Sequence, residues 1–229
     1  TYVLETGDAA NPPILMFHGS CGNSAMWFGD IPVLCTQFHV FAVDVIGEAG
    51  NSADTRPDPA AEGYADWIAQ LLDALKLDRA ALMGNSLGGW LCLKFATAHP
   101  ERVTKLVLIA ASGLATIRPS FVLRSILFVM MGNRGVNALN RLVYGPREMP
   151  PEVIEVGNTI LMSFNPMVGA LPAFGARLSR LTMPVLYIAG RHDATTDVVK
   201  AANALISCAP HAKVQILTNC GHVVFGAMD

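Results

Sequence analysis

The residues best suited to chemistry are Gly84-Asn85-Ser86-Leu87-Gly88, followed by Gly89 and the apolar stretch Trp90 to Ala96. A short apolar run ends at Gly84 and a helix pattern begins just after Ser86, so the chain turns sharply between strand and helix. Such a turn strains the backbone of its central residue and leaves no room for flanking side chains, hence glycine at 84 and 88. A hydroxyl held there stands before a helix N-terminus, where free N–H groups and the helix dipole favour developing negative charge. The chemistry that fits is nucleophilic attack by Ser86 with an oxyanion forming beside it. So short a pattern also matches many turns by chance, and its weight depends on the elements around it.

A neutral serine is a poor nucleophile and needs an imidazole to take its proton, and the imidazole needs a carboxylate to fix its tautomer. Met183 to Gly190 reads as a strand followed by Arg191-His192-Asp193, and Lys213 to Leu217 as a strand followed by Asn219-Cys220-Gly221-His222. An acid and an imidazole thus follow the ends of two later strands, in the chain order Ser86, Asp193, His222, which suits a catalytic triad. His192 is a rival base, but it adjoins Asp193 and points elsewhere; Asp197 is a rival acid, but it stands where a helix needs its cap. Nearer the start, the buried strand Ile14 to Phe17 runs into His18-Gly19-Ser20-Cys21-Gly22-Asn23. A Gly-rich loop lets backbone N–H groups approach a ligand, and the N–H of Ser20 is the candidate second oxyanion donor. The His18 side chain reads as a satisfied interior histidine. Asp44, at the end of the strand Phe38 to Val43, reads as an anchor for the loop that follows.

The elements that must position these groups alternate. Tyr2 to Leu4 is a strand, and Tyr64, Trp67, Ile68, Leu71, Leu72 and Leu75 form one apolar helical stripe. The helix after Ser86 runs to Ala98 and stops before Pro100, and Lys105 to Ala110 is the next strand. Strands and helices in this rhythm predict an α/β fold with a doubly wound, mostly parallel sheet, whose ligands bind at the carboxyl ends of the strands. From 114 to 181 the rhythm lapses into weak helical patterns such as Phe121 to Met131 and Val153 to Met162. The expected division is a core of 1–113 and 182–229, with 114–181 inserted as a helical cap over the active edge. Met130, Met131, Met149, Met162 and Met167 suit an adaptable apolar pocket wall, although plain packing is the commoner use of methionine.

Composition narrows the function. Of 229 residues 52% are hydrophobic and 15% charged, below the roughly 25% usual for soluble domains, as expected where strands are buried on both faces. A net charge of −2 offers no basic footprint for nucleic acid or an acidic membrane surface. Five cysteines without C-x-x-C spacing suggest neither a disulfide framework nor a zinc site, and a reducing cytoplasm is the simplest setting. Cys21 and Cys220, close to the candidate site, read as packing residues. The six histidines form no metal-binding pair, no nucleotide-binding loop occurs, and no cofactor or metal is expected. The apolar run Phe121 to Met131 contains Arg124, is too short to span a bilayer, and reads as part of a buried or lid helix. Oligomeric state has no sequence signal.

Phe17-His18-Gly19-Ser20, Asp44-Val45-Ile46-Gly47, Gly84 to Gly89, His99-Pro100-Glu101-Arg102-Val103, Gly190 to Asp193 and Gly221-His222 together resemble the α/β-hydrolase fold, close to serine esterase-like members with a helical cap. The resemblance covers essentially the whole chain. It implies Ser86 as nucleophile, His222 as general base, Asp193 as its orienting carboxylate, and the N–H groups of Leu87 and Ser20 as the oxyanion hole. Haloalkane dehalogenases and epoxide hydrolases of this fold carry Asp at the elbow and dienelactone hydrolases Cys, so Ser86 points to acyl transfer to water. The implied function is a carboxylesterase acting on a small, largely apolar ester. One alternative is a serine C–C bond hydrolase of aromatic degradation, whose members commonly carry Trp where this chain has Val223; another is a ligand-binding receptor that retains the triad. Relatives usually have two initial strands and continue past the histidine into a further helix, so extensions at both ends are expected.

Overall fold

In the computed structural model the described residues are 1–146, 148, 150–164 and 171–224, with nothing said of the Asn133 side chain. Seven strands form one sheet: β1 (Val3–Thr6), β2 (Pro13–Phe17), β3 (His39–Val43), β4 (Ala80–Asn85), β5 (Val103–Ile109), β6 (Val185–Gly190) and β7 (Lys213–Leu217). Their spatial order is β1-β3-β2-β4-β5-β6-β7, with β1 antiparallel to β3 and every other pairing parallel. The helices are α1 (Ile31–Leu34), α2 (Gly63–Ala74), α3 (Leu87–Ala98), α4 (Pro119–Met130), α5 (Asn133–Tyr144), α6 (Pro151–Ser163) and α7 (Val198–Cys208).

The central strands are apolar from Ile14 to Phe17, Val40 to Val43 and Ala80 to Met83 because each feeds two cores. Leu15 and Phe17 of β2, Phe41 and Val43 of β3, and Ala80 and Leu82 of β4 enter the larger cluster. Their neighbours Ile14, Met16, Val40, Ala42, Ala81 and Met83 enter a second cluster on the opposite face. Side chains alternate across a strand, so a sheet covered on both faces needs apolar residues at every position. Helix α3 lies within the larger cluster and is buried from Leu87 to Thr97, which explains its lack of a polar face. Its Lys94 is buried too, with Nζ 3.2 Å from Glu62 Oε1.

Between β5 and β6 the chain leaves the sheet and builds α4, α5 and α6. Helix α5 was not anticipated, although Val136, Leu139 and Val143 follow helical spacing; the residues Gly132, Gly135, Asn137 and Asn140 look like turn chemistry in isolation. Of the two expectations for α4, a buried helix or a lid helix, the buried one is not met, since none of its residues is buried. At the end of the segment Phe174, Leu178 and Leu181 join the main core, and Trp90 Nε1–H donates to the Pro172 carbonyl at 2.9 Å. These residues therefore pack with the sheet rather than with α4 to α6.

Candidate active site

The chain runs from β2 outward to β3, then returns to the other side of β2 as β4. Such a reversal opens a crevice at the carboxyl ends of the two strands, where open parallel sheets bind ligands. Phe17 pairs with Gly84 across it, so Gly19-Ser20 and Ser86 emerge side by side.

Ser86 has φ 50° and ψ −108°, a left-handed conformation rare outside glycine. Its backbone is fixed on both sides, with the N–H donating to the Ile109 carbonyl at 2.9 Å and the carbonyl accepting from Trp90 at 3.0 Å and Ser112 at 3.1 Å. A Cβ at Gly84 would overlap the Gly88 backbone, and one at Gly88 would overlap the Phe17 carbonyl. Gly88→Ala is therefore expected to destabilise the fold by about 3 kcal/mol, the upper end for overpacking. Thermal unfolding should fall by roughly 6–12 °C for a domain of this size; an unchanged midpoint would show that helix and strand are not in this contact.

Ser86 Oγ lies 2.9 Å from His222 Nε2, and His222 Nδ1 lies 2.8 Å from Asp193 Oδ2. Asp193 follows β6 and is 4% exposed. Burial by itself raises its carboxyl pKa, but the His222 charge and the hydrogen bonds from His222 and Thr195 outweigh burial and hold it below the usual value. Its other oxygen, Oδ1, accepts from Thr195 N at 2.7 Å, Thr195 Oγ1 at 2.6 Å and Thr196 N at 3.3 Å. Those donors occupy Oδ1 and leave Oδ2 for the imidazole. Thr195 Oγ1 also stands 3.0 Å from His222 Nδ1, a role no sequence pattern announced. His192 is exposed and off this line, its N–H donating to the Cys220 carbonyl, and Asp197 caps α7 by accepting from Val199 and Lys200.

The His222 loop hangs from α5. His222 N–H donates to the Val143 carbonyl at 2.8 Å and Gly221 N–H to the Tyr144 carbonyl at 3.2 Å. A Cβ at Gly221 would stand 2.6 Å from Gly145 N, so glycine alone fits the close approach. Cys220 is buried as expected of a packing residue.

The loop after β2 is braced from within. His18 is buried, its Nδ1–H donating to the Gly19 carbonyl at 2.7 Å and its Nε2 accepting from Val45 N–H at 2.9 Å, which requires the neutral ring. Burial, partly opposed by the Gly19 carbonyl and Asp44, lowers its pKa below 6.5. The unfolded chain therefore takes up this proton first, and stability should decline as pH falls below about 6.5 by up to ~1.4 kcal/mol per pH unit. Urea unfolding at neutral and mildly acidic pH measures this, and His18→Gln should lose that part of the slope; an equal slope in both proteins would assign it to other groups.

Asp44 accepts from Ser24 N–H and Asn51 N–H, both at 2.7 Å, and so anchors the loop. Glu48, unremarked in the sequence, accepts from Cys21 N–H at 2.9 Å and Ser20 Oγ at 3.1 Å. Burial raises its carboxyl pKa against these donors. Burial and the nearby Glu48 push the Cys21 thiol up to about 11, which keeps it protonated. Among the described residues neither the Ser20 nor the Leu87 N–H bonds to a protein acceptor.

Above Ser86 lies a cavity of about 400 Å³ walled by Ile117, Phe121, Leu139, Val143 and Leu161. The expected methionine wall is not part of it: Met130, Met131 and Met162 are exposed to solvent, and Met149 and Met167 lie outside the described residues. Met26, from the other side, does line it.

The sequence profile of the alpha/beta hydrolase fold matches residues 12–128. The chain belongs to the α/β-hydrolase fold family. Among proteins of this family, carboxylesterase YbfK of Bacillus subtilis is 26% identical over 234 residues, covering 98% of this chain and 78% of that protein. The crystal structure of the B. subtilis carboxylesterase CesB (YbfK) superposes with a TM-score of 0.84 at 26% identity, covering 97% of this chain and 81% of the other. A 2-hydroxy-6-oxononadienedioate/2-hydroxy-6-oxononatrienedioate hydrolase of Pseudomonas putida is 26% identical over 249 residues, 95% of this chain and 83% of that enzyme.

Proposed function

We propose that this α/β-hydrolase is a serine carboxylesterase, with Ser86 as nucleophile, His222 as general base, Asp193 as orienting acid, and the N–H groups of Ser20 and Leu87 as oxyanion hole. The observation that carries the reading is the unbroken line from Ser86 Oγ through both ring nitrogens of His222 to Asp193, at 2.9 and 2.8 Å. Ser86 Oγ adds to the ester carbonyl carbon while its proton passes to His222 Nε2. The carbonyl oxygen becomes an anion facing the two N–H groups, and Asp193 stays ionised and stabilises the imidazolium. Collapse of the adduct breaks the bond to the alkoxy oxygen, which leaves as the alcohol after taking the Nε2 proton. Water then attacks the acyl-Ser86 in the same way, His222 again taking and returning the proton, and the acid is released.

Helices α4 to α6 act as the cap in this reading, and the apolar cavity they share with the core takes a small, largely apolar acyl or alcohol group. The P. putida relative supports a second reading, C–C bond hydrolysis. Its substrate is by name a dioate, and a dianion needs cationic partners in a low-dielectric pocket. No lysine or arginine is among the described residues lining this cavity. The ester reading is favoured for that reason.

Kinetics on a panel of p-nitrophenyl esters beside a dienone ring-fission product tests the choice. The expected result is multiple turnover of short esters with a higher kcat/KM than the dienone. Preference for the dienone by orders of magnitude would install the second reading, and ligand binding without turnover would make the chain a receptor.

A further inference from the structure

Helix α4 keeps Val122, Leu123, Ile126, Leu127, Val129 and Met130 in solvent, with Leu123 60% and Met130 79% exposed. Phe121 and Ser125, on the opposite side of the same helix, face the cavity. An apolar face of this extent on a folded chain marks a contact with something else.

Charge indicates what that is. The whole-chain charge of −2 conceals a local reversal, since the sequence has no carboxylate between Glu101 and Glu148. Arg124 on α4 and Arg134 and Arg141 on α5 are exposed, and none has an ion-pair partner among the described residues. Arg141 shares a groove with Glu148 and with Glu155 of α6, so the arginines that stand apart from these acids are Arg124 and Arg134. Symmetric pairing of α4 with a second copy would set these arginines against one another. An anionic lipid surface accepts both the apolar face and the positive charge.

From this we infer that α4 is an interfacial docking helix for anionic phospholipid bilayers. It has 12 residues, and no helix among the described residues is long and apolar enough to cross a membrane, so α4 lies in the interface. The net charge of −2 counts against an acidic membrane for the chain as a whole, whereas this segment is locally basic. Docking through the outer face of α4 holds the cavity about one helix diameter, ~10 Å, from the lipid. The docking does not depend on the esterase reading, because it is measured as binding.

Co-sedimentation with phosphatidylcholine vesicles, with and without phosphatidylglycerol, tests it. The chain is expected to pellet with the anionic vesicles and to be released by raised salt. Arg124→Gln should weaken partitioning about fivefold, and Leu123→Asp with Leu127→Asp should abolish it, with far-UV circular dichroism and unfolding midpoint unchanged in both variants. Failure to pellet with anionic vesicles, or equal pelleting with neutral ones, would overturn the inference. So would a dimer in sedimentation velocity that the Leu123/Leu127 variant loses, without vesicle binding by either protein.

Discussion

Replacing Ser86 with alanine is expected to lower kcat on the preferred p-nitrophenyl ester by about 10⁴- to 10⁶-fold, the range lost when a serine nucleophile is removed. The fold should survive, because among the described residues Ser86 Oγ bonds only to His222, while the elbow is held by backbone hydrogen bonds to Ile109, Trp90 and Ser112. Alanine meets the same left-handed backbone at φ 50° that serine already tolerates. Stopped assays and thermal unfolding of both proteins provide the measurement. Retention of a tenth or more of kcat would mean that the hydroxyl is not the attacking group.

Asp193→Asn should be the next most damaging change, lowering kcat about 10⁴-fold by the precedent of serine proteases in which the triad acid becomes an amide. Here the reason lies in the donors around the carboxylate. Oδ1 accepts two backbone N–H groups and the Thr195 hydroxyl, while Oδ2 accepts from His222 Nδ1. An asparagine can keep its oxygen toward Thr195 only by turning its NH₂ to the imidazole. His222 must then accept at Nδ1 and carry its proton on Nε2, where it faces Ser86 Oγ and cannot take up the hydroxyl proton. Turning the amide round sets NH₂ against the fixed Thr195 N–H and leaves both unsatisfied. Both orientations are unproductive, so a loss in kcat with little change in KM is the expected signature. A variant with near-normal kcat would assign the orienting role to Thr195, whose Oγ1 is 3.0 Å from the same nitrogen.

The sheet was legible in the sequence because burial on two faces demands unbroken apolar strands, and β2, β3 and β4 carry them. The convergence of Ser86, Asp193 and His222 was legible from position, since each follows the end of a parallel strand and all such ends share one rim. Groups that act by supporting others carried no such mark. Thr195 looks like any residue between a strand and a helix cap, and Glu48 like a loop carboxylate, until their distances to Asp193 and Cys21 are known. Helix α5 was obscured because its glycines and asparagines serve packing: a Cβ at Gly135 would overlap the Phe128 carbonyl, and Asn140 donates to Asn158 of α6 at 2.6 Å. The methionines misled for a related reason. Composition says that a segment is apolar, but only the helix phase says that Met130 and Met162 face outward while Phe121 and Leu161 face the cavity.

The most direct test of the account is covalent labelling by a fluorophosphonate followed by peptide mapping. One label per chain on Ser86, formed quickly in the native protein and slowed by orders of magnitude in His222→Ala, is the predicted result. Labelling at another serine, or labelling of Ser86 at the same rate without the imidazole, would contradict it.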